Sequence, residues 1–299
     1  MGPAEVAHGP MLLGVVFNVL LYGIMITQIY LYYTTYKRDR AWMKLLVLAV
    51  FVADTINTLF DIWYLYESVI THFDDPAFLV KANWRFATDP ATTGVIELMV
   101  QLFFCWRIWA LTKNIFMIAA VGLLSIGGGI CALLTTYEIT QIPEFVRFQE
   151  FKSVVIIWLV CASTADILIT SILVWYLSSD LMVDRIIRVT MQTGLLTSLL
   201  ATLDLIVYLA NPTGLHLMLN FPLCKLYSNS LISSLNSRGG WRYDNSNNSV
   251  NRTLTDRQGA ASSAFDEVRS GWKDEKDLAS PRSPTKASSF RSLQSRQEP

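Results

Sequence analysis

Residues 11–33 read MLLGVVFNVLLYGIMITQIYLYY, a run of 23 residues without a charged side chain. About 20 helical residues cross a bilayer core of roughly 30 Å, so this run predicts a transmembrane helix. Five further apolar runs of similar length follow it along the chain. They cover residues 44–67, 92–112, 115–136, 153–177 and 189–210.

A seventh run, residues 214–236, is less regular than the other six. Pro222 interrupts it, and serines become frequent after Tyr227. The pattern leaves two interpretations, a kinked span or a re-entrant or interfacial segment, and we favour the span. The predicted fold class is therefore all-α, a seven-helix transmembrane bundle.

Composition divides the chain into two parts. Hydrophobic residues make up 52% of the 299 residues, and the mean hydropathy is +0.37. Charged residues number 29 in residues 1–236 and 19 in the much shorter stretch 237–299. This contrast excludes a single soluble globular domain. We predict a membrane domain over residues 1–238 and a disordered cytoplasmic tail over residues 239–299.

Basic residues near the span ends predict the orientation, because cytoplasmic loops carry the excess of lysine and arginine. One side has eight of them, namely Lys37, Arg38, Arg40, Lys44, Arg107, Lys113, Arg185 and Arg188. The other side has Lys81, Arg85, Arg147 and Lys152. The N-terminus is thus expected outside or in a lumen, and the C-terminus in the cytoplasm, in a plasma membrane or endomembrane.

The expected partners are the lipid bilayer and a cytoplasmic protein or kinase acting on the tail. Ser280-Pro281 and Ser283-Pro284 fit proline-directed phosphorylation sites. A formal net charge of zero excludes a nucleic-acid binder that works by bulk electrostatics.

Polar residues recur inside the predicted spans, where an ionisable group costs about 3 kcal/mol or more unless it faces the bundle interior. At 100° per residue they share one face of each helix. The candidate ligand or ion residues are Asp54, Asn57, Asp61, Glu97, Gln101, Asp166, Asp204 and Lys225. Asn18, His216 and Asn220 lie on the inner faces of the first and seventh spans without being chosen as site residues.

Two interpretations of these inner faces stay open. Small and polar stripes are common where membrane helices pack and form interhelical hydrogen bonds. Alternatively, the carboxyl groups line a partly hydrated cavity for a cation, a proton relay or an amine-bearing ligand. Lys225 is expected to pair with Asp204 or Glu97 as a structural ion pair.

The motifs of common catalytic and cofactor sites are absent from the sequence. The three histidines are scattered at His8, His72 and His216, and no two cysteines form a C-x-x-C pair. Neither H-E-x-x-H nor G-x-S-x-G occurs. Phe221, four residues before Lys225, is not the aspartate typical of microbial retinal proteins. We therefore expect no enzyme, no cofactor and no metal.

The C-terminal part of the membrane domain carries a long and specific string of residues. It consists of Asp184-Arg185-Ile186-Ile187-Arg188, QTGLLT at 192–197, Asp204, Asn220-Phe221-Pro222, KLYSNSL at 225–231 and SLNSR at 234–238. This string resembles a family of uncharacterised multi-pass membrane proteins of mushroom-forming fungi, in which this part is called domain of unknown function 6534. The resemblance covers about residues 160–239, and the N-terminal half is similar more loosely.

The resemblance implies a fungal seven-span protein with a disordered tail, but it supplies no activity, ligand or catalytic residue. Topology and the tail favour a receptor-like or sensor-like protein, although Cys105-Trp106-Arg107 lacks the acidic-Arg-aromatic triplet of G-protein-coupled receptors. The alternative is a small-solute or proton transporter or channel.

Overall fold

The computed structural model describes residues 3–73, 75–177, 184–210 and 214–239. Most of these residues are helical, and the described part contains an isolated β-bridge between Lys81 and Glu144 but no strand. The main helices are α1 (Pro3–Thr35), α2 (Ala41–Tyr66), α3 (Pro76–Leu79), α4 (Trp84–Thr112), α5 (Ile115–Gln141), α6 (Lys152–Leu177), α7 (Asp184–Ala210) and α8 (Leu217–Asn236). A π-helical turn, Glu67–Thr71, extends α2, and two 3-10 segments cover Phe145–Phe151 and Ser237–Gly239.

The described residues are predominantly helical, as predicted, and five of the helices are long and apolar enough to cross a membrane. They are His8–Thr35, Ala41–Thr71, Trp84–Thr112, Ile115–Gln141 and Lys152–Tyr176. In α7, the stretch Gly194–Ala210 forms a shorter apolar helix. The tail with its two Ser-Pro sites lies outside the described residues, and so do the side chains of residues 184–193.

The long helices pack in chain order as a ring within the compact unit Met1–Gly240, and α8 returns against α1. α4 contacts α2, α5, α6 and α8, whereas α8 contacts α1, α2, α4 and α7. We call the end that carries residues 67–83 and 142–151 the loop end. The end that carries residues 36–40, 113–114 and 237–239 is the tail end.

Glycine brings two pairs of helices into close contact. A β-carbon at Gly94 of α4 would overlap the β-carbon of Ala132 of α5. At Gly14 of α1, a β-carbon would lie 2.9 Å from the backbone oxygen of Leu217 of α8. Small residues at such points let membrane helices gain van der Waals contact that the hydrophobic effect does not supply between them.

The predicted spans 44–67 and 92–112 leave residues 68–91 as a connecting loop, and this prediction is wrong in its second half. α4 begins at Trp84, where the Asn83 side chain accepts a hydrogen bond from the backbone N–H of Phe86 at 3.0 Å. The stretch TDPATT at 88–93 contains a proline and few apolar residues, so it has the composition of a loop. In the folded chain it forms the first turns of a buried helix, with Pro90 inside them.

A buried polar network as the candidate functional site

Lys225 lies at the centre of the bundle with its side chain wholly buried. Its ammonium group donates to the carboxylate of Asp54 at 2.9 Å, to the backbone oxygen of Asp54 at 3.0 Å and to Oδ1 of Asn57 at 2.8 Å. α2 therefore supplies three oxygens to one cation of α8. In hydrocarbon, this set of partners offsets the loss of water around a charged group.

The predicted pairing of Lys225 with Asp204 or Glu97 was wrong. Asp204 accepts a hydrogen bond from Asn220 of α8, and Glu97 accepts one from the indole N–H of Trp158. Helical periodicity gives the face on which a side chain lies, but it does not give the neighbouring helix. The face of α8 that carries Lys225 meets α2.

Asn57 extends the network from Lys225 into α4. Its Oδ1 accepts from Lys225, while its Nδ2 donates to Oδ1 of Asp89 at 2.9 Å and to the hydroxyl of Thr92 at 3.1 Å. The oxygen of the amide therefore accepts a hydrogen bond from α8, and its nitrogen donates hydrogen bonds to α4. An amide has both functions, which makes it suited to joining an ammonium group to a carboxylate.

Asn18 connects α1 to the same centre. Its Nδ2 lies 3.1 Å from Oδ2 of Asp61 and 2.8 Å from the backbone oxygen of Phe221, and its Oδ1 accepts from Thr58 at 3.2 Å. The asparagine lay on the predicted inner face but was not chosen as a site residue. With it, hydrogen bonds tie α1, α2, α4 and α8 together at one depth.

Asp89 is a buried acid that the sequence analysis missed, because its surroundings were read as a loop. It is 2% exposed and accepts from Asn57. A signal was available in Asn83, since an asparagine at this position predicts a helix N-terminus and would have placed Asp89 inside a helix.

A second cluster joins α4 to α6. The indole N–H of Trp158 donates to Glu97 at 2.9 Å, and the amide of Gln101 donates to Asp166 at 3.1 Å. The same amide lies 3.4 Å from the carboxyl of Glu97. Trp158 was not predicted as a site residue, since a tryptophan in an apolar run gives no sign that it faces an acid.

Small cavities border the network at two places. One, of about 20 Å³, is lined by Gln101, Asp166 and Tyr227 among others. The other, of about 40 Å³, lies nearer the loop end and is lined by residues of α4, α5, α6, α7 and α8. A buried water needs about 10–15 Å³ of such volume, so both spaces admit water-sized species.

The structure therefore distributes the eight predicted residues over three groups. Asp54, Asn57, Asp61 and Lys225 share the central network, while Glu97, Gln101 and Asp166 form the second cluster. Asp204 belongs to neither and bonds to Asn220 at 3.2 Å.

Carboxyl groups outnumber cations in the buried part of the described chain. The six buried acids are Asp54, Asp61, Asp89, Glu97, Asp166 and Asp204, against the one buried ammonium group of Lys225. Such an excess requires protons or bound cations to balance the charge in a low-dielectric interior.

These features define a helical membrane protein with a charged and hydrogen-bonded interior. A model of a family of unknown function (DUF6534) matches residues 162–240, which agrees with the C-terminal resemblance read from the sequence. The match includes Asp166, Asp204, Asn220 and Lys225, so it covers part of each polar group described above. Comparison with curated proteins and with solved structures gives no match.

Proposed function

We propose that the protein is a seven-span membrane sensor without catalytic activity, in which α8 couples the buried network to the tail. α7 and α8 would be the sixth and seventh spans, with the N-terminus outside or in a lumen. Two observations support the count: α8 packs between α1, α4 and α7, and 15 of its 20 residues are buried. The lysines and arginines of the tail end support the orientation.

The ion pair of Lys225 with Asp54 is the observation that carries the proposal. This pair lies in the middle of the bundle, and its cation belongs to α8, the helix that leads directly into the tail. Removing one partner of a buried pair leaves the other charge uncompensated, which is strongly destabilising. The position of α8 in which Lys225 contacts Asp54 is therefore strongly favoured over positions that separate the two charges. A stimulus that adds or removes charge near this pair would shift the position of α8.

A second set of contacts holds α8 at the tail end. Arg238 donates to the carboxylate of Asp39 at 2.5 Å, and its guanidinium lies 4.9 Å from the ring centre of Tyr36. The Tyr36 hydroxyl donates to the backbone oxygen of Asn236 at 2.8 Å. These residues directly precede the tail, so a displacement of α8 would reach the chain beyond Arg238.

A cysteine placed at Ser237 tests this coupling. Ser237 is 8% exposed. In membrane vesicles that contain the single variant Ser237→Cys, a hydrophilic maleimide should therefore label the new cysteine slowly. In the Lys225→Met background we expect severalfold faster labelling, because α8 loses its central anchor. Lys152→Met removes an exposed lysine at the start of α6 and should leave the rate unchanged.

Two results would overturn the sensor proposal. Equal labelling rates in Lys225→Met and in the unchanged background would show that the centre and the tail end are not coupled. If Lys225→Met does not fold, Asp54→Asn replaces it with the same expectation. Labelling of position 237 from the outside of sealed, right-side-out vesicles would contradict the orientation.

A proton or small-cation transporter is the second candidate, and the excess of buried carboxyl groups beside two water-sized cavities favours it. Membrane acids that face a cavity occur in ion pathways and proton relays. Purified protein in proteoliposomes distinguishes the two functions. A pH-sensitive dye and labelled sodium should report no flux for a sensor, whereas flux that Lys225→Met abolishes would support the transporter.

A further inference from the structure

The cavity of about 40 Å³ near the loop end is lined by residues of α4 to α8 and of the 3-10 segment Phe145–Phe151, and its polar lining includes Thr135 of α5. α4 contributes Asp89, α7 contributes Asp204 and Tyr208, and the start of α8 contributes His216 and Asn220. The volume admits a small ion with one or two waters, and it excludes an organic ligand of drug size, which needs several hundred Å³.

Two residues that line this cavity each have a buried oxygen without a hydrogen-bond partner. Asp204 is 0% exposed, and its Oδ2 accepts from Asn220 at 3.2 Å while its Oδ1 is unpartnered. The hydroxyl of Tyr208, one helical turn further along α7, is also unpartnered, and this residue is 7% exposed. An unsatisfied buried polar atom costs about 1–3 kcal/mol, so a species that contacts both oxygens would be stabilised.

We propose that this cavity binds a small monovalent cation of the sodium type, with Asp204, Tyr208 and Asp89 as its oxygen ligands. Carboxyl, hydroxyl and amide oxygens are the donors that hard cations prefer. None of the ion pairs among the described residues includes Asp89 or Asp204, because Lys225 bonds to Asp54 and Asn57. Both residues line the cavity, and neither carboxyl group forms an ion pair with a cation of the described chain.

A divalent ion fits the site less well. Calcium takes six to eight oxygens and magnesium about six, mostly from carboxylates and waters. The described part of the chain contains no group of three or more His, Cys, Asp or Glu residues that could hold a metal ion. A monovalent ion balances one carboxylate in this space of about 40 Å³, and burial favours the protonated form of the other carboxyl group.

Aromatic rings line the cavity on its loop-end side. Phe86 of α4 and two phenylalanines of the 3-10 segment, Phe148 and Phe151, line it, and the rings of Phe148 and Phe151 are 5.1 Å apart. This segment is attached to the opposite loop, since Phe145 donates its backbone N–H to Val80. Asp89 is 2% exposed and Asp204 is 0% exposed, so water screens their attraction for a cation only weakly.

This inference rests on the proposed function, because it names the species that the sensor would detect or the transporter would carry. Its test is independent of any movement of α8. Purified full-length protein in detergent is heated in sodium chloride and in N-methylglucamine chloride at equal ionic strength, and binding of labelled sodium is measured directly. We expect sodium to raise the unfolding midpoint until the effect saturates.

Variants of the two unpartnered side chains sharpen the test. Asp204→Asn should abolish both sodium binding and the midpoint shift, and Tyr208→Phe, which removes only a hydroxyl, should weaken binding severalfold. The matched controls are Glu138→Gln and Tyr137→Phe on α5, which do not line the cavity and should retain both effects. If Asp204→Asn fails to fold, Tyr208→Phe remains a test of the site.

Three results would overturn the sodium site. They are equal midpoints in the two salts, retention of sodium binding by Asp204→Asn, and stabilisation by calcium in place of sodium. A different result would overturn the sensor and leave the sodium site intact. The protein would bind sodium, but Lys225→Met would not change the rate at which the cysteine of Ser237→Cys is labelled. Faster labelling without sodium binding would overturn the site and leave the sensor intact.

Discussion

Helices α5 and α8 differ both in composition and in how much of each is buried. α5 is the most apolar of the five helices that are long and apolar enough to cross a membrane, yet only 7 of its 27 residues are buried. α8 is not among those five, contains Lys225 and several serines, and has 15 of its 20 residues buried. In a bilayer, apolar side chains are satisfied by lipid, whereas polar ones need protein partners. Polarity therefore indicates the interior here, in contrast to a soluble domain.

The largest change in the free energy of unfolding is expected when the buried charge of α8, the ammonium group of Lys225, is removed. Lys225→Met leaves the buried carboxyl of Asp54 without its cation, and such a change typically costs about 3–5 kcal/mol. The free energy of unfolding in detergent should fall by that amount. Lys152→Met, at an exposed lysine, is the control. The double variant Lys225→Met with Asp54→Leu should regain part of the loss, and no recovery would argue against the ion pair as the cause.

One substitution made on both helices tests the contrast directly. Leu231 of α8 is 0% exposed and Leu123 of α5 is 73% exposed. Leu231→Ala should lower the free energy of unfolding by about 2–5 kcal/mol, since it opens a cavity. Leu123→Ala should change it by no more than about 0.5 kcal/mol. Similar losses at both positions, measured in detergent, would contradict the burial of α8 between its neighbours.

Glycine substitutions should give smaller effects of opposite sign at the contact of α4 with α5 and on an open face of α5. Gly94→Ala would press a β-carbon against Ala132 of α5 and should cost about 1–3 kcal/mol. Gly127→Ala, where nothing lies within 4 Å, should be neutral or stabilise the helix by up to about 1 kcal/mol. Thermal unfolding of both variants checks this, and equal midpoints would mean that α4 and α5 do not meet at Gly94.

The smallest change in stability is expected for the exposed ion pair of Arg147 and Glu150, which serves as a comparison for the buried pair of Lys225 and Asp54. Arg147 donates to Glu150 at 2.7 Å and 3.1 Å, and the guanidinium lowers the pKa of the Glu150 carboxyl. The pair therefore stabilises the fold at neutral pH, and its contribution is lost as the pH falls through this lowered pKa. Both side chains are exposed, so water screens them.

Unfolding midpoints at about pH 7 and about pH 3 measure this contribution. Glu150→Gln should lower the midpoint slightly at the higher pH and leave it unchanged at the lower one. A difference that persists at the lower pH would mean that Glu150 acts through packing and not through its charge.

Much of the candidate site follows from helical periodicity within single spans. Asp54, Asn57 and Asp61 recur at intervals of three and four residues, and the folded chain buries all three. Asp89 was missed because proline and threonines around it have the composition of a loop. Trp158 was missed because hydrophobic residues are expected throughout a span, whether they face lipid or an acid.

The sequence by itself determined that apolar helices make up most of residues 1–236 and that their ionisable residues face inward, because hydrocarbon cannot solvate charges or unpaired backbone groups. Tertiary structure decided which inward residues meet. Lys225 bonds to Asp54 and not to Asp204 or Glu97 because the rotation and axial offset of α8 against α2 are set by many packing contacts at once. Those offsets are properties of the assembled bundle, and no single helix encodes them.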